Sequence, residues 1–151
     1  MNIFDLFDKA KQTLQWPKLS YPLETGEIIQ FSVAGPQAKV PGSINITDGG
    51  KPGFNKYYGR IIKEDAKRLM HIDWHPGTNT PIEIKELVRA IIANPIGMCS
   101  VTGQQRSYCC FCSTHIQTKE SLAVGYGPIC AEKWGLPWGQ LVLKELDSKN
   151  L

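Results

Sequence analysis

The chain has 151 residues, of which 42% are hydrophobic and 21% charged, so it can bury a core and is not disordered throughout. A net charge of +3 excludes a polybasic, histone-like protein, and five cysteines cannot all pair as disulfides within one chain. The excess charge is local: residues 51–70 carry +4, so a charge-driven partner is to be sought there.

Asp5, Asp8, Lys9 and Lys11 interrupt the apolar start, which argues against a signal peptide. No stretch reaches the roughly 18 apolar residues of a membrane span. A cytoplasmic, membrane-free protein is expected. In a reducing compartment clustered cysteines serve as metal ligands more often than as disulfides.

Residues 2–15 predict an amphipathic helix. Ile3, Phe4, Phe7, Ala10, Lys11 and Leu14 follow helical spacing, Leu6 lies beside the stripe, and Pro17 closes the element. Such a stripe packs on a core or docks on a partner, and packing is the commoner use. Residues 26–75 predict a small antiparallel sheet with strands at 28–33, 43–47, 57–62 and 69–74. Asp48-Gly49-Gly50-Lys51-Pro52-Gly53 is a strong turn signal between two of them. It lacks the spacing of a phosphate-binding loop, and no serine-hydrolase or zinc-protease motif occurs elsewhere.

The positive segment supplies Lys51, Lys56, Arg60, Lys63, Lys67 and Arg68, interleaved with Phe54, Tyr57 and Tyr58. Cations beside aromatic faces suit single-stranded nucleic acid, through phosphate attraction and base stacking. Strict alternation sets Lys56, Tyr58 and Arg60 on one exposed face and turns Tyr57 to the core. The bland alternative is a charged, solvated sheet edge. His71, Asp73 and His75 also alternate, but Pro76-Gly77 ends that strand, and exposed polar residues are the simpler reading.

Residues 82–94 predict a second helix, entered at Thr80-Pro81 and stopped at Asn94-Pro95. Residues 96–108, rich in Gly, Ser, Thr and Gln, read as a linker. The expected division is an α+β domain over 1–98, a zinc-binding module over 99–139, and a tail or short helix over 140–151.

Cys109 and Cys112 have the C-x-x-C spacing that turns two thiolates toward one metal. Cys130 follows Gly127-Pro128-Ile129 and falls in the first turn of a predicted helix, where the dipole favours a thiolate. A knuckle, a short polar hairpin and a ligand at a helix start resemble a treble-clef zinc site. In a complete treble clef the fourth ligand stands three residues after Cys130, and that position is Lys133. Cys99, Cys110 and His115 remain as candidates, with Cys99 ranked first and Cys110 second. One zinc ion with four protein ligands is a structural site, with no position left for water. Gly135 is expected to end the helix and Trp138 to pack back on the module.

The stretch from Cys109 to Cys112, Ser121, and the run Gly125-Tyr126-Gly127-Pro128-Ile129-Cys130 through Gly139, with the upstream stretch from Ala34-Gly35 through Pro41-Gly42 to Tyr58-Gly59-Arg60-Ile61, resemble a family of uncharacterised phage and mobile-element proteins with a cysteine-containing C-terminal module. The resemblance implies zinc binding and a phage-like context, hence a host cytoplasm. It supplies no activity. The expected function is a non-enzymatic accessory protein that binds nucleic acid or a nucleic-acid-handling complex. The alternative is an adaptor or inhibitor of a host defence or replication protein.

Overall fold

Alternating apolar residues between 18 and 74 generate five strands, paired in sequence order as an antiparallel meander: β1 (Lys18–Pro22), β2 (Ile28–Val33), β3 (Ile44–Thr47), β4 (Tyr57–Glu64) and β5 (Leu69–Trp74). The computed structural model describes residues 2–51, 53–64 and 69–139. Lys67, Arg68 and the expected tail over 140–151 lie outside the described residues. The described helices are α1 (Ile3–Ala10), α2 (Ile82–Ala93), α3 (Pro95–Arg106), α4 (Lys119–Val124) and α5 (Pro128–Trp134). The fold is α+β, and none of these helices is long and apolar enough to cross a membrane.

The chain divides into two compact units, Trp16–Arg89 and a second made of Met1–Gln15 with Ala90–Leu151. The first helix therefore belongs with the cysteine segment, whereas the sequence placed it with the sheet in a domain over 1–98.

In the sheet unit, Leu19 pairs with Phe31, Phe31 with Ile46, Ile46 with Gly59 and Gly59 with Trp74, forming one row across all five strands. Leu19, Phe31 and Ile46 in that row are fully buried. A Cβ on Gly59 would collide with the carbonyl oxygen of Asp73 on β5, so the row closes only around a glycine. β1 is absent from the sequence expectation because Pro17 and Pro22 bracket it. An edge strand tolerates proline at its end, since one side of its ladder is unpaired.

One irregularity changes a functional expectation. Between β3 and β4 the register shifts: Ile46 faces Gly59 but Thr47 faces Tyr57, so Tyr58 is the extra residue of a bulge. Strict alternation fails there. Tyr58 turns inward and is 4% exposed, while Tyr57 is only half-buried.

In the other unit α1 is shorter than the helix expected over 2–15. Asn2 and Asp5 form a capping box at its start, each side chain accepting the other's backbone N–H at 3.0 Å. Ile3, Phe4, Leu6, Phe7 and Ala10 bury one stripe. Beyond Ala10 the apolar periodicity weakens, and the Thr13 hydroxyl donates to the Lys133 carbonyl, so the chain turns instead of continuing as helix. The buried stripe meets α5, with Phe7 edge-on to Trp134 at 5.3 Å. Packing, rather than partner docking, accounts for this face.

The expected linker over 96–108 is the helix α3. Asn94 caps it by accepting the Gly97 N–H at 3.2 Å, and Pro95 fits the first turn, where no N–H is needed. Its poor helix formers are compensated by packing. A Cβ on Gly103 would lie 2.7 Å from Gly125 Cα, so backbone meets backbone where α3 passes the end of α4.

Candidate metal centre

Cys109 and Cys112 sit in a tight turn held by the Cys109 N–H donating to the Thr114 carbonyl at 2.7 Å and the Ser113 N–H donating to the Cys109 carbonyl at 2.8 Å. Ser113 adopts the left-handed conformation, φ 63°, that reverses the chain after the second cysteine. Tyr108 and His115 pair across the base of this turn. The helix α4, where a polar hairpin was expected, then leads to Gly125 in the left-handed conformation. Gly127 precedes α5, Pro128 occupies its first turn, and Cys130 follows two residues later. Gly135 caps its C-terminus in the left-handed conformation as expected, φ 66°.

This places the sulfurs of Cys109, Cys112 and Cys130 within 4.8 Å of one another. Cys109 and Cys130 are buried and Cys112 is exposed. Three thiols this close cannot all ionise without a cation. The Cys109 thiol is lowered to about 5, chiefly because the Cys130 thiol donates to it, with backbone N–H groups of Gly127, Phe111 and Cys112 adding to the effect. The Cys130 thiol is correspondingly pushed up, first by Cys109, then by burial. The arrangement pre-forms one thiolate and holds two further sulfurs around it.

Aromatic packing props the turn against α5. Phe111, between the two knuckle cysteines, lies 4.9 Å from Trp134 and 5.8 Å from Tyr126, edge-on to the latter. The Tyr126 hydroxyl donates to the Pro137 carbonyl at 2.7 Å, and burial pushes its phenol up to about 12. Trp138 packs back as expected, its indole N–H 3.3 Å from the Ser121 hydroxyl.

Cys99, the expected fourth ligand, does not join the group, and neither does its alternative Cys110. Both are fully buried. Cys99 lies on α3, a helix where a flexible linker was expected, and its thiol partners that of Cys110. Burial and the neighbouring Cys99 push the Cys110 thiol up, so it stays protonated. His115 is exposed, with its ring 5.3 Å from that of Tyr108 and its Nδ1 3.1 Å from Gln117 Nε2. A cavity of about 500 Å³ opens beside the sulfurs, lined by Cys109, Cys112 and Cys130 with His115, Lys133 and Trp138.

The positive segment is less uniform than its sequence suggests. Lys51, Lys56 and Lys63 are exposed. Arg60 is half-buried and paired across the strands with Asp73, 3.6 Å away. Tyr58 cannot stack on a base, being buried with Lys56 near its ring at 6.0 Å. Phe54, between Lys51 and Lys56, is 91% exposed. His71 and Asp73 on β5, and His75 just beyond its end, are all exposed. Among the described residues they form no metal-ligating group; Asp73 pairs with Arg60 and His75 Nδ1 lies 3.1 Å from the Thr78 hydroxyl.

A family described as a family of unknown function (DUF6011) matches residues 100–135, the stretch holding all three clustered cysteines. No curated protein and no solved structure matches the chain.

Proposed function

We propose that the chain is a non-enzymatic binding protein whose C-terminal segment is held by one zinc ion on Cys109, Cys112 and Cys130, in a treble-clef-like arrangement. The observation that carries this is the convergence of three sulfurs from two elements 18 residues apart, with one already favoured as thiolate. A soft, all-sulfur donor set suits zinc over magnesium, calcium or manganese. The knuckle is short and its cysteines are distant from the α5 ligand in sequence, so an ion joining them ties the unit together. Elemental analysis of the purified protein is expected to find about one zinc per chain, and Cys112→Ser to abolish it. Wild-type protein that is folded but takes up no zinc when zinc is supplied contradicts the reading.

A second observation supports single-stranded nucleic acid as the bound species. Phe54 stands exposed at the β3–β4 loop between exposed Lys51 and Lys56, which offers a stacking face beside two phosphate-attracting charges. Phe54 thus replaces Tyr58 in the stacking role. An oligonucleotide shift that weakens steeply with salt and with Lys56→Glu tests it; the absence of any shift at low salt removes it. A host protein recovered on the chain after nuclease treatment supports the adaptor alternative instead.

A further inference from the structure

We propose that the bound zinc takes its fourth donor from outside the chain, as the thiolate of a small organic thiol seated in the cavity beside the cysteines. This rests on the zinc reading above. A tetrahedral ion takes four donors, and the described residues bring three to one point. The position three residues along α5 from Cys130, one turn on and lining the same cavity, belongs to Lys133. Lys133 brings a positive charge where a fourth cysteine would bring a donor. His115 also lines the cavity, but it does not join the group of sulfurs, and its ring leans on Tyr108. It forms a wall rather than a ligand.

The chemistry of the cavity selects the guest. Three thiolates leave the zinc centre with one net negative charge. A fourth thiolate is the softest match to the metal but adds a second negative charge, which the positive charge of Lys133 in the cavity lining offsets. Ile116, Ile129 and Trp138 line the cavity and offer apolar surface to the carbon body of the guest. At about 500 Å³ the cavity has the size of a small-molecule site. Binding involves no change of oxidation state: the thiol gives its S–H proton to solvent, a sulfur–zinc bond forms, and a water ligand leaves. A carboxylate, being a hard donor, is expected to compete poorly.

Cobalt(II) substitution reads the coordination directly. The full chain loaded with cobalt is titrated with 2-mercaptoethanol, and separately with acetate. The expected result is a saturable rise of roughly a third in sulfur-to-cobalt charge-transfer intensity with the thiol, as three thiolates become four, and little change with acetate. Lys133→Met, which removes the charge without adding a donor, is expected to weaken thiol binding on the order of fivefold while leaving cobalt uptake intact. A cobalt spectrum indifferent to thiol overturns the proposal but leaves the three-cysteine site standing. So does a spectrum altered by His115→Ala before any thiol is added, because the chain then supplies its own fourth donor. Failure to take up cobalt at all sinks the zinc reading together with this one.

Discussion

Cys112→Ser separates metal binding from packing more cleanly than any other single change. Cys112 is exposed, and its sulfur lies 3.2 Å from the Thr114 hydroxyl and within 4.8 Å of the other two sulfurs. Serine preserves that polar contact and leaves the Phe111, Trp134 and Tyr126 packing untouched, so the metal-free fold should lose under about 0.5 kcal/mol, as at an ordinary surface position. With zinc present the arithmetic changes. At free zinc a hundredfold above its dissociation constant, the native state gains about 2.7 kcal/mol, and at a thousandfold about 4.1 kcal/mol. Removing one of three protein donors forfeits most of that gain. For a unit of this size about 1 kcal/mol corresponds to roughly 4–8 °C, so the variant should melt at least 10 °C below the wild type in zinc. Thermal melts of both proteins, with zinc and with a chelator, provide the four curves needed. The expected pattern is a large difference in zinc and near coincidence in chelator. Equal melting of the wild type with and without zinc, or an equal loss for the variant in chelator, refutes the reasoning.

Other perturbations reach different parts of the account. Cys99→Ala should leave about one zinc per chain while destabilising the unit by about 1–3 kcal/mol, since Cys99 is buried packing and not a ligand; loss of zinc would restore it to the donor set. Iodoacetamide should label Cys112 in chelator and not in zinc, and Cys99 and Cys110 only on unfolding, as read by peptide mass spectrometry. The Cys130 thiol is pushed up in the metal-free protein and must lose its proton to bind zinc. Zinc affinity should therefore rise about tenfold or more per pH unit across neutrality, and a flat profile counts against Cys130 as a ligand. Gly59→Ala should destabilise the sheet unit by about 1–3 kcal/mol in chemical denaturation, because its methyl meets the Asp73 carbonyl oxygen; a neutral result removes the close approach of β4 and β5.

What the sequence revealed follows the range of the interaction responsible. Cys109, Cys112 and Cys130 were legible because a knuckle and a helix start are local signals, with Gly127-Pro128 marking the helix entry. The strands β2 to β5 were legible from alternation. The helix α3 was not: Gly97, Ser100, Thr102 and Gly103 are weak helix formers, and what makes them helical is the Asn94 cap and the backbone contact of Gly103 with Gly125, which is 22 positions away. Missing that helix led directly to Cys99 as a free-reaching fourth ligand. The signal that could have corrected it was Asn94-Pro95, read as a stop for α2 but equally a cap and first turn for the next helix. Tyr58 was misjudged for a different reason. A bulge inverts the faces of a strand, and nothing in the residues 57–59 except Gly59 announces one.

The central claim is that three cysteine sulfurs hold one zinc ion. X-ray absorption at the zinc edge of the purified protein tests it most directly. The expected spectrum has a sulfur shell at about 2.3 Å containing three scatterers, or four when a thiol is bound. A shell of nitrogen and oxygen alone at about 2.0–2.1 Å, or no zinc above background in a folded sample, would contradict it.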